Sequence, residues 1–128
     1  MSESLVAWVG GRLVLPHAVV EGRALLTRGP RIVGMVRQGE VPEGARREEL
    51  GGGYLLPGLI DLHTHGALGR SFLDGDDDAF RVILAEQARR GVTGVLATTS
   101  TAPFPDILRA LRTTRRWMGV EEGGARVL

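Results

Sequence analysis

After the glycine triplet Gly51-Gly52-Gly53 the hydrophobic period of the chain changes, and that change limits the folds open to it. Leu59 to His63 reads as a strand. In the following DGDDDAFRVILAEQARRG, Phe80, Ile83, Leu84 and Ala88 recur at i, i+3, i+4 and i+8, one face of a helix. Asp76, Asp77 and Asp78 stand at its start, where acids complement the helix N-terminus, and Gly91 stands at its end as a left-handed cap. Val92 to Thr98 reads as a second strand. Pro103 and Pro105 suit the first turn of a second helix, on which Ile107, Leu108, Leu111 and Met118 share a face. Arg126 to Leu128 opens a third strand. The order β-α-β-α-β implies a parallel sheet with right-handed crossovers, so the predicted class is α/β. An open doubly wound sheet and a (β/α)8 barrel both satisfy that order. A barrel takes about 250 residues, and this chain has 128.

The first fifty residues have another character. Leu5 to Val9, Arg12 to Leu15, Ala18 to Val20, Ala24 to Leu26 and Ile32 to Val36 are short apolar runs punctuated by Gly10-Gly11, Pro16, Glu21-Gly22 and Gly29-Pro30. ALLTRGPRIVGMV predicts a hairpin turning at Gly29-Pro30. RQGEVPEGARREE is polar and reads as a surface connection. The expected organisation is therefore a small β unit over 1–53 and strand-helix units over 54–128.

Composition narrows the chemistry. All sixteen basic residues are arginine, which excludes a Schiff-base lysine or a P-loop lysine within the chain. Cysteine is absent, which excludes disulfides, thiolate zinc sites and thiol catalysis. A net charge of +1 with scattered arginines gives no footprint for nucleic acid or an acidic membrane. No run approaches the roughly 20 apolar residues that a membrane span needs. The expected compartment is the cytoplasm.

PGLIDLHTHG, residues 57–66, carries two of the three histidines. In a strand alternate side chains share a face, which puts Leu59, Asp61, His63 and His65 on one side and Ile60, Leu62 and Thr64 on the other. The Ile/Leu side suits packing under helices. The Asp/His/His side grows polar toward the C-terminal end of the strand, where α/β active sites lie. Two imidazoles one pleat repeat apart can converge on a zinc, iron or nickel ion. Asp61 can orient one of those ligands or accept backbone N–H groups. A pair of solvent-facing histidines is the plainer alternative, but the Pro57-Gly58 turn before the strand and the glycine-bearing loop Gly66 to Gly69 after it favour a metal site. His17 stands alone after Pro16 and reads as a surface or packed histidine. The aspartate run lacks the glycine and distal glutamate of a calcium loop, so helix capping is its expected role. Thr98, Thr99, Ser100 and Thr101 end the second strand near the same mouth, where they can line a substrate pocket or bond within their own turn.

GYLLPGLIDLHTH resembles the opening of the metal-dependent (β/α)8 TIM barrel of the amidohydrolase superfamily, and the preceding strands resemble part of that family's small β-sandwich. HTHGALG and GVTGVLATTSTAP are similar to segments of the N-acetylglucosamine-6-phosphate deacetylases within it. The resemblance implies an N-terminal portion of such an enzyme, with the barrel incomplete in this chain. It implies hydrolysis of the acetamide of N-acetylglucosamine 6-phosphate, an amino-sugar phosphate, to acetate and glucosamine 6-phosphate. It also implies one or two divalent ions, zinc or iron, in a complete enzyme that forms a homodimer. His63 and His65 then bind metal, Asp61 supports them, and Gly66, Thr98 and Thr99 are candidates for the substrate pocket. The family's remaining ligands and its catalytic aspartate lie in segments this sequence does not contain, so no catalytic residue is assigned and the 128 residues alone are expected to be inactive. Two alternatives stay open: another amidohydrolase, such as an aminoacylase or cyclic amidase, and a non-catalytic module that needs a partner chain.

Overall fold

Glycines at left-handed backbone angles cut the first part of the chain into short strands, among them Gly10 (φ 70°), Gly22 (φ 70°) and Gly29 (φ 53°). A computed structural model describes residues 3–128. The chain divides into two compact units, Met1–Pro57 and Gly58–Leu128.

In the first unit, β1 (Leu5–Val9) lies between β4 (Arg23–Arg28), antiparallel, and β6 (Arg46–Glu49), parallel, and β5 (Arg31–Arg37) closes the other edge. A second sheet holds β2 (Arg12–Leu15), β3 (Ala18–Val20) and β7 (Tyr54–Leu55) in the order β3-β2-β7. Ala7, Val9, Ala24 and Leu26 form the buried centre of the four-stranded sheet. Leu13, Leu15, Leu25, Ile32 and Leu55 line an apolar cavity of about 170 Å³. The predicted hairpin turns at Gly29-Pro30 as expected. Two features differ from expectation. Arg46–Glu49 is a strand rather than part of a surface connection, because an edge strand pairs through its main chain and can carry an all-charged RREE. Tyr54–Leu55 pairs in parallel with β2, so the division of the chain falls after Pro57 rather than after Gly53.

The second unit is mixed α/β. Three parallel strands run in the order β12-β11-β8, where β8 is Leu59–Thr64, β11 is Val92–Ala97 and β12 is Arg126–Val127. Helices α1 (Asp77–Arg89) and α2 (Phe104–Trp117) connect them. Between β8 and α1 the chain makes a small hairpin, β9 (Gly66–Ala67) with β10 (Arg70–Ser71), then a single 3-10 turn at Phe72–Asp74. Leu68 (φ 50°) and Gly69 (φ 75°) form its two-residue turn, both in the left-handed region that such tight hairpins require.

Asp76 caps α1: its carboxylate accepts the Ala79 N–H at 2.7 Å, and that bond holds the carboxyl below its ordinary pKa, with Arg70 alongside. Gly91 (φ 82°) follows the helix end, as predicted. Phe80, Ile83 and Leu84 are buried and pack with Phe72, Val95, Trp117 and Val127 in one core; Ala79 joins them in place of the expected Ala88, which is exposed.

Helix α2 is rotated from the expected face. Its buried positions are Ala110, Thr113 and Trp117, while Leu111 (49% exposed) and Met118 (54%) face outward. Polar anchors set this rotation. The Thr113 hydroxyl donates to the Gly75 carbonyl at 2.9 Å inside the protein, and the Trp117 indole N–H donates to Asp77 at 2.8 Å. The indole bond and then Arg116 lower the Asp77 pKa. The missing Cβ at Gly75 leaves room for the Arg109 side chain and the Ala110 main-chain nitrogen. A purely apolar period does not register a threonine and an indole used as anchors. Among the described residues no helix is long and apolar enough to cross a membrane.

Thr113→Val keeps the side-chain shape but leaves the buried Gly75 carbonyl without its donor. The expected loss is about 1–3 kcal/mol, read as a lower urea midpoint with an unchanged denaturant slope. An unchanged midpoint would show that this bond does not anchor α2.

Candidate functional site

The two histidines of the H-x-H sequence end up together. Their ring centroids are 5.1 Å apart with the planes at 84°, and both side chains are exposed. Simple alternation does not put them there. Between Val95 and Ala97 of β11, two residues of rise match three in β8, from Asp61 to Thr64, so β8 carries a bulge. Asp61 pairs with the buried Val95 and Thr64 with Ala97, which packs against the helix-side core. The bulge therefore separates Asp61 from the histidines. Asp61 turns toward α1 and accepts from Gln87 Nε2 at 3.4 Å, whereas Leu62, His63 and His65 lie on the opposite face. This corrects the expectation that Asp61, His63 and His65 share a side.

It also corrects the expected packing of Ile60 and Leu62. They are 59% and 67% exposed, and the helices instead cover the Asp61/Thr64 side. The histidine face is thus an apolar surface with an imidazole pair at its C-terminal end.

Asp61 has a clear structural role. A bulge leaves a main-chain group outside the ladder, and the Asp61 carboxylate accepts the His63 main-chain N–H at 3.1 Å. Of the two roles open to it, Asp61 thus takes that of acceptor for backbone N–H groups. It supports the backbone of His63 rather than its ring.

The backbone around His65 is clamped from both sides. Its carbonyl accepts the Phe72 N–H at 2.9 Å and the Ser71 hydroxyl at 3.2 Å. Phe72 is fully buried and meets Phe80 edge-on at 4.9 Å, so this clamp is tied to the core. On the other side the Thr98 N–H donates to the Thr64 carbonyl at 3.1 Å and locks the end of β8 to the end of β11.

The pocket candidates have mostly local roles. A Cβ at Gly66 would collide with the Arg70 carbonyl, so this glycine permits the β9–β10 hairpin. The Thr98 hydroxyl donates to the Leu96 carbonyl at 3.0 Å. Thr99 is half-buried. Ser100 is the member of that run that reaches a histidine, with its Oγ 3.3 Å from His65 Nδ1. His17 is exposed in a turn of the first unit. Asp74 and Asp76 serve the capping of the 3-10 turn and of α1.

Two imidazoles at this spacing are the right donor type for a borderline-soft divalent ion. Among the described residues no group of three or more histidine, cysteine, aspartate or glutamate side chains is placed to hold one. A catalytic zinc site normally keeps three protein ligands, one more than these two imidazoles supply. Asp61→Ala removes the acceptor at the bulge and is expected to cost about 1 kcal/mol and to speed amide exchange at His63. Asp61→Asn, which keeps a side-chain carbonyl, should lose less. Equal exchange at His63 in all three proteins would contradict this role for Asp61.

No family profile matches the chain. Among curated proteins, N-acetylglucosamine-6-phosphate deacetylase of Bacillus subtilis (strain 168) is 37% identical over 68 residues, covering 53% of this chain and 17% of that protein. Imidazolonepropionase of Klebsiella pneumoniae is 33% identical over 121 residues, covering 89% of this chain and 27% of that protein. The crystal structure of N-acetylglucosamine-6-phosphate deacetylase from Pasteurella multocida superposes with a TM-score of 0.83 at 25% identity, covering 94% of this chain and 32% of that one. The chain thus spans between about a sixth and a third of the length of these proteins. On sequence and on fold alike, the resemblance to the N-acetylglucosamine-6-phosphate deacetylases of the amidohydrolase superfamily stands.

Proposed function

We propose that this chain is the N-terminal, metal-binding portion of a hydrolase that removes the acetyl group from N-acetylglucosamine 6-phosphate. The observation that carries the proposal is the imidazole pair, 5.1 Å between centroids, on an uncovered sheet face at the C-terminal end of β8. Catalytic groups of parallel α/β folds gather at that end of the strands. In this reading β8, β11 and β12 are the first strands of a (β/α)8 barrel whose interior is the face bearing Ile60, Leu62, His63 and His65. The two sheets of the first unit are part of a small β-sandwich, and their apolar cavity of about 170 Å³ is a surface that further strands would cover.

His63 and His65 would hold the ion through ring nitrogens. When bound, a divalent zinc or iron ion supplies Lewis acidity that lowers the pKa of water and polarises a carbonyl. The reaction is hydrolysis: water adds across the acetamide C–N bond, acetate leaves, and the amine of glucosamine 6-phosphate remains. This chain's residues provide two ligands, the clamped backbone beneath them and the serine beside His65. The other ligands and the proton-transfer group belong to further barrel strands. The complete enzyme is proposed to be a cytoplasmic homodimer.

The similarity to imidazolonepropionase over 89% of the chain favours a second reading, a cyclic amidase of the same superfamily. Assays with both substrates separate the two. The 128 residues are to be compared with the product of the reading frame continued past Leu128, each supplied with zinc or iron. The continued product is expected to release acetate from N-acetylglucosamine 6-phosphate, and His63→Ala/His65→Ala should abolish that release. The 128 residues alone should release none. Preferential hydrolysis of imidazolonepropionate would replace the deacetylase reading. Acetate release unaffected by the double substitution would remove the metal role of the pair.

A further inference from the structure

Ser100 lies three residues beyond β11, and its hydroxyl crosses to the neighbouring strand end to meet His65 Nδ1 at 3.3 Å. The contact spans 35 positions of sequence, so it is made by the fold and not by local geometry. Two bonds fix the segment that carries it: the Thr98 N–H to the Thr64 carbonyl at 3.1 Å, and the Thr98 hydroxyl to the Leu96 carbonyl at 3.0 Å. The other end of the contact is held by the Phe72 and Ser71 bonds to the His65 carbonyl. The His65 backbone is therefore held by two bonds, and the chain two residues before Ser100 is tied to the end of β8. At His63 the bond made by the residue is through its main-chain N–H, to Asp61.

An imidazole can bind a metal only through a nitrogen that carries a lone pair, and a bond at one ring nitrogen decides what the other presents. A serine hydroxyl can donate or accept. With Nδ1 of His65 turned to Ser100, Nε2 is the nitrogen left to face a metal, and Nδ1–H must then donate to Oγ. We propose that Ser100 is a positioning residue for His65: its hydroxyl accepts the Nδ1–H bond, selects that tautomer, and presents Nε2 on the exposed sheet face. This rests on the reading of His63 and His65 as metal ligands, and it distinguishes Ser100 from Thr98, whose hydroxyl is committed to Leu96.

The test uses the 128-residue chain and its Ser100→Ala and Ser100→Thr variants. Long-range proton-nitrogen NMR above the ordinary imidazole pKa reads the tautomer of each histidine, and calorimetry reads zinc affinity. In the unsubstituted chain His65 should carry its proton on Nδ1. Ser100→Ala should shift His65 toward the Nε2-protonated form, leave His63 and His17 unchanged, and weaken zinc binding about 10-fold, the lower end of what loss of a ligand's hydrogen-bond partner costs. Ser100→Thr, which keeps the hydroxyl, should restore both. The proposal is overturned if His65 is protonated on Nε2 in the unsubstituted chain. It is also overturned if Ser100→Ala changes neither tautomer nor affinity while zinc still binds at His63 and His65, a result that leaves the metal pair standing. Absence of any zinc response at either ring in the unsubstituted chain would remove the metal reading itself, and the role of Ser100 with it.

Discussion

The main-chain N–H of His63 bonds to the Asp61 carboxylate at 3.1 Å, and the placement of both imidazoles depends on that bond. An unbroken strand from Leu59 to His65 would put Asp61 and both histidines on one face. Because Asp61 pairs with Val95 on the helix side, that face would aim the imidazoles at the core beneath α1. The extra residue between Asp61 and Thr64 moves the rings to the other face. It also takes a main-chain donor out of the ladder. A carboxylate two residues earlier meets that donor. Asp61 therefore stands in the strand for a reason of backbone chemistry, and the imidazole pair follows from it.

The helices set how firmly the pair is held. Phe72 links the His65 carbonyl to the core, and Phe72 itself rests on Phe80, which stacks on Trp117 at 5.9 Å. The indole in turn bonds Asp77 at the start of α1. The residues that make the unit fold are thus the residues that hold the site. On the other face Ile60, Leu62, Leu96 and Leu128 remain exposed.

Much of this was legible in the sequence, and the exceptions share a cause. Strands β1, β2 and β3, both helices, the Asp76 cap and the parallel order of β8, β11 and β12 follow from hydrophobic period and from turn and cap residues. These signals are local. The resemblance carried by GYLLPGLIDLHTH was legible too, since its residues are contiguous. The bulge in β8 was not, because it is defined by register against a strand more than thirty residues away. The rotation of α2 was hidden because Thr113 and Trp117 act as hydrogen-bonding anchors. Strand β6 was hidden because its pairing is main-chain and its side chains are all charged. Asp61 stands out in the sequence as a carboxylate beside the histidines, and the fold gives it a backbone role. Ser100 was one of four hydroxyls at a strand end, and only tertiary contact distinguishes it.

The most direct measurement is anomalous scattering at the zinc edge from crystals of this chain grown with zinc. One strong peak is expected within bonding distance of a ring nitrogen of His63 and of His65, on Nε2 for His65, with solvent or a neighbouring group completing the coordination. A peak elsewhere with both rings unligated, or no peak at the pair at saturating zinc, would contradict this.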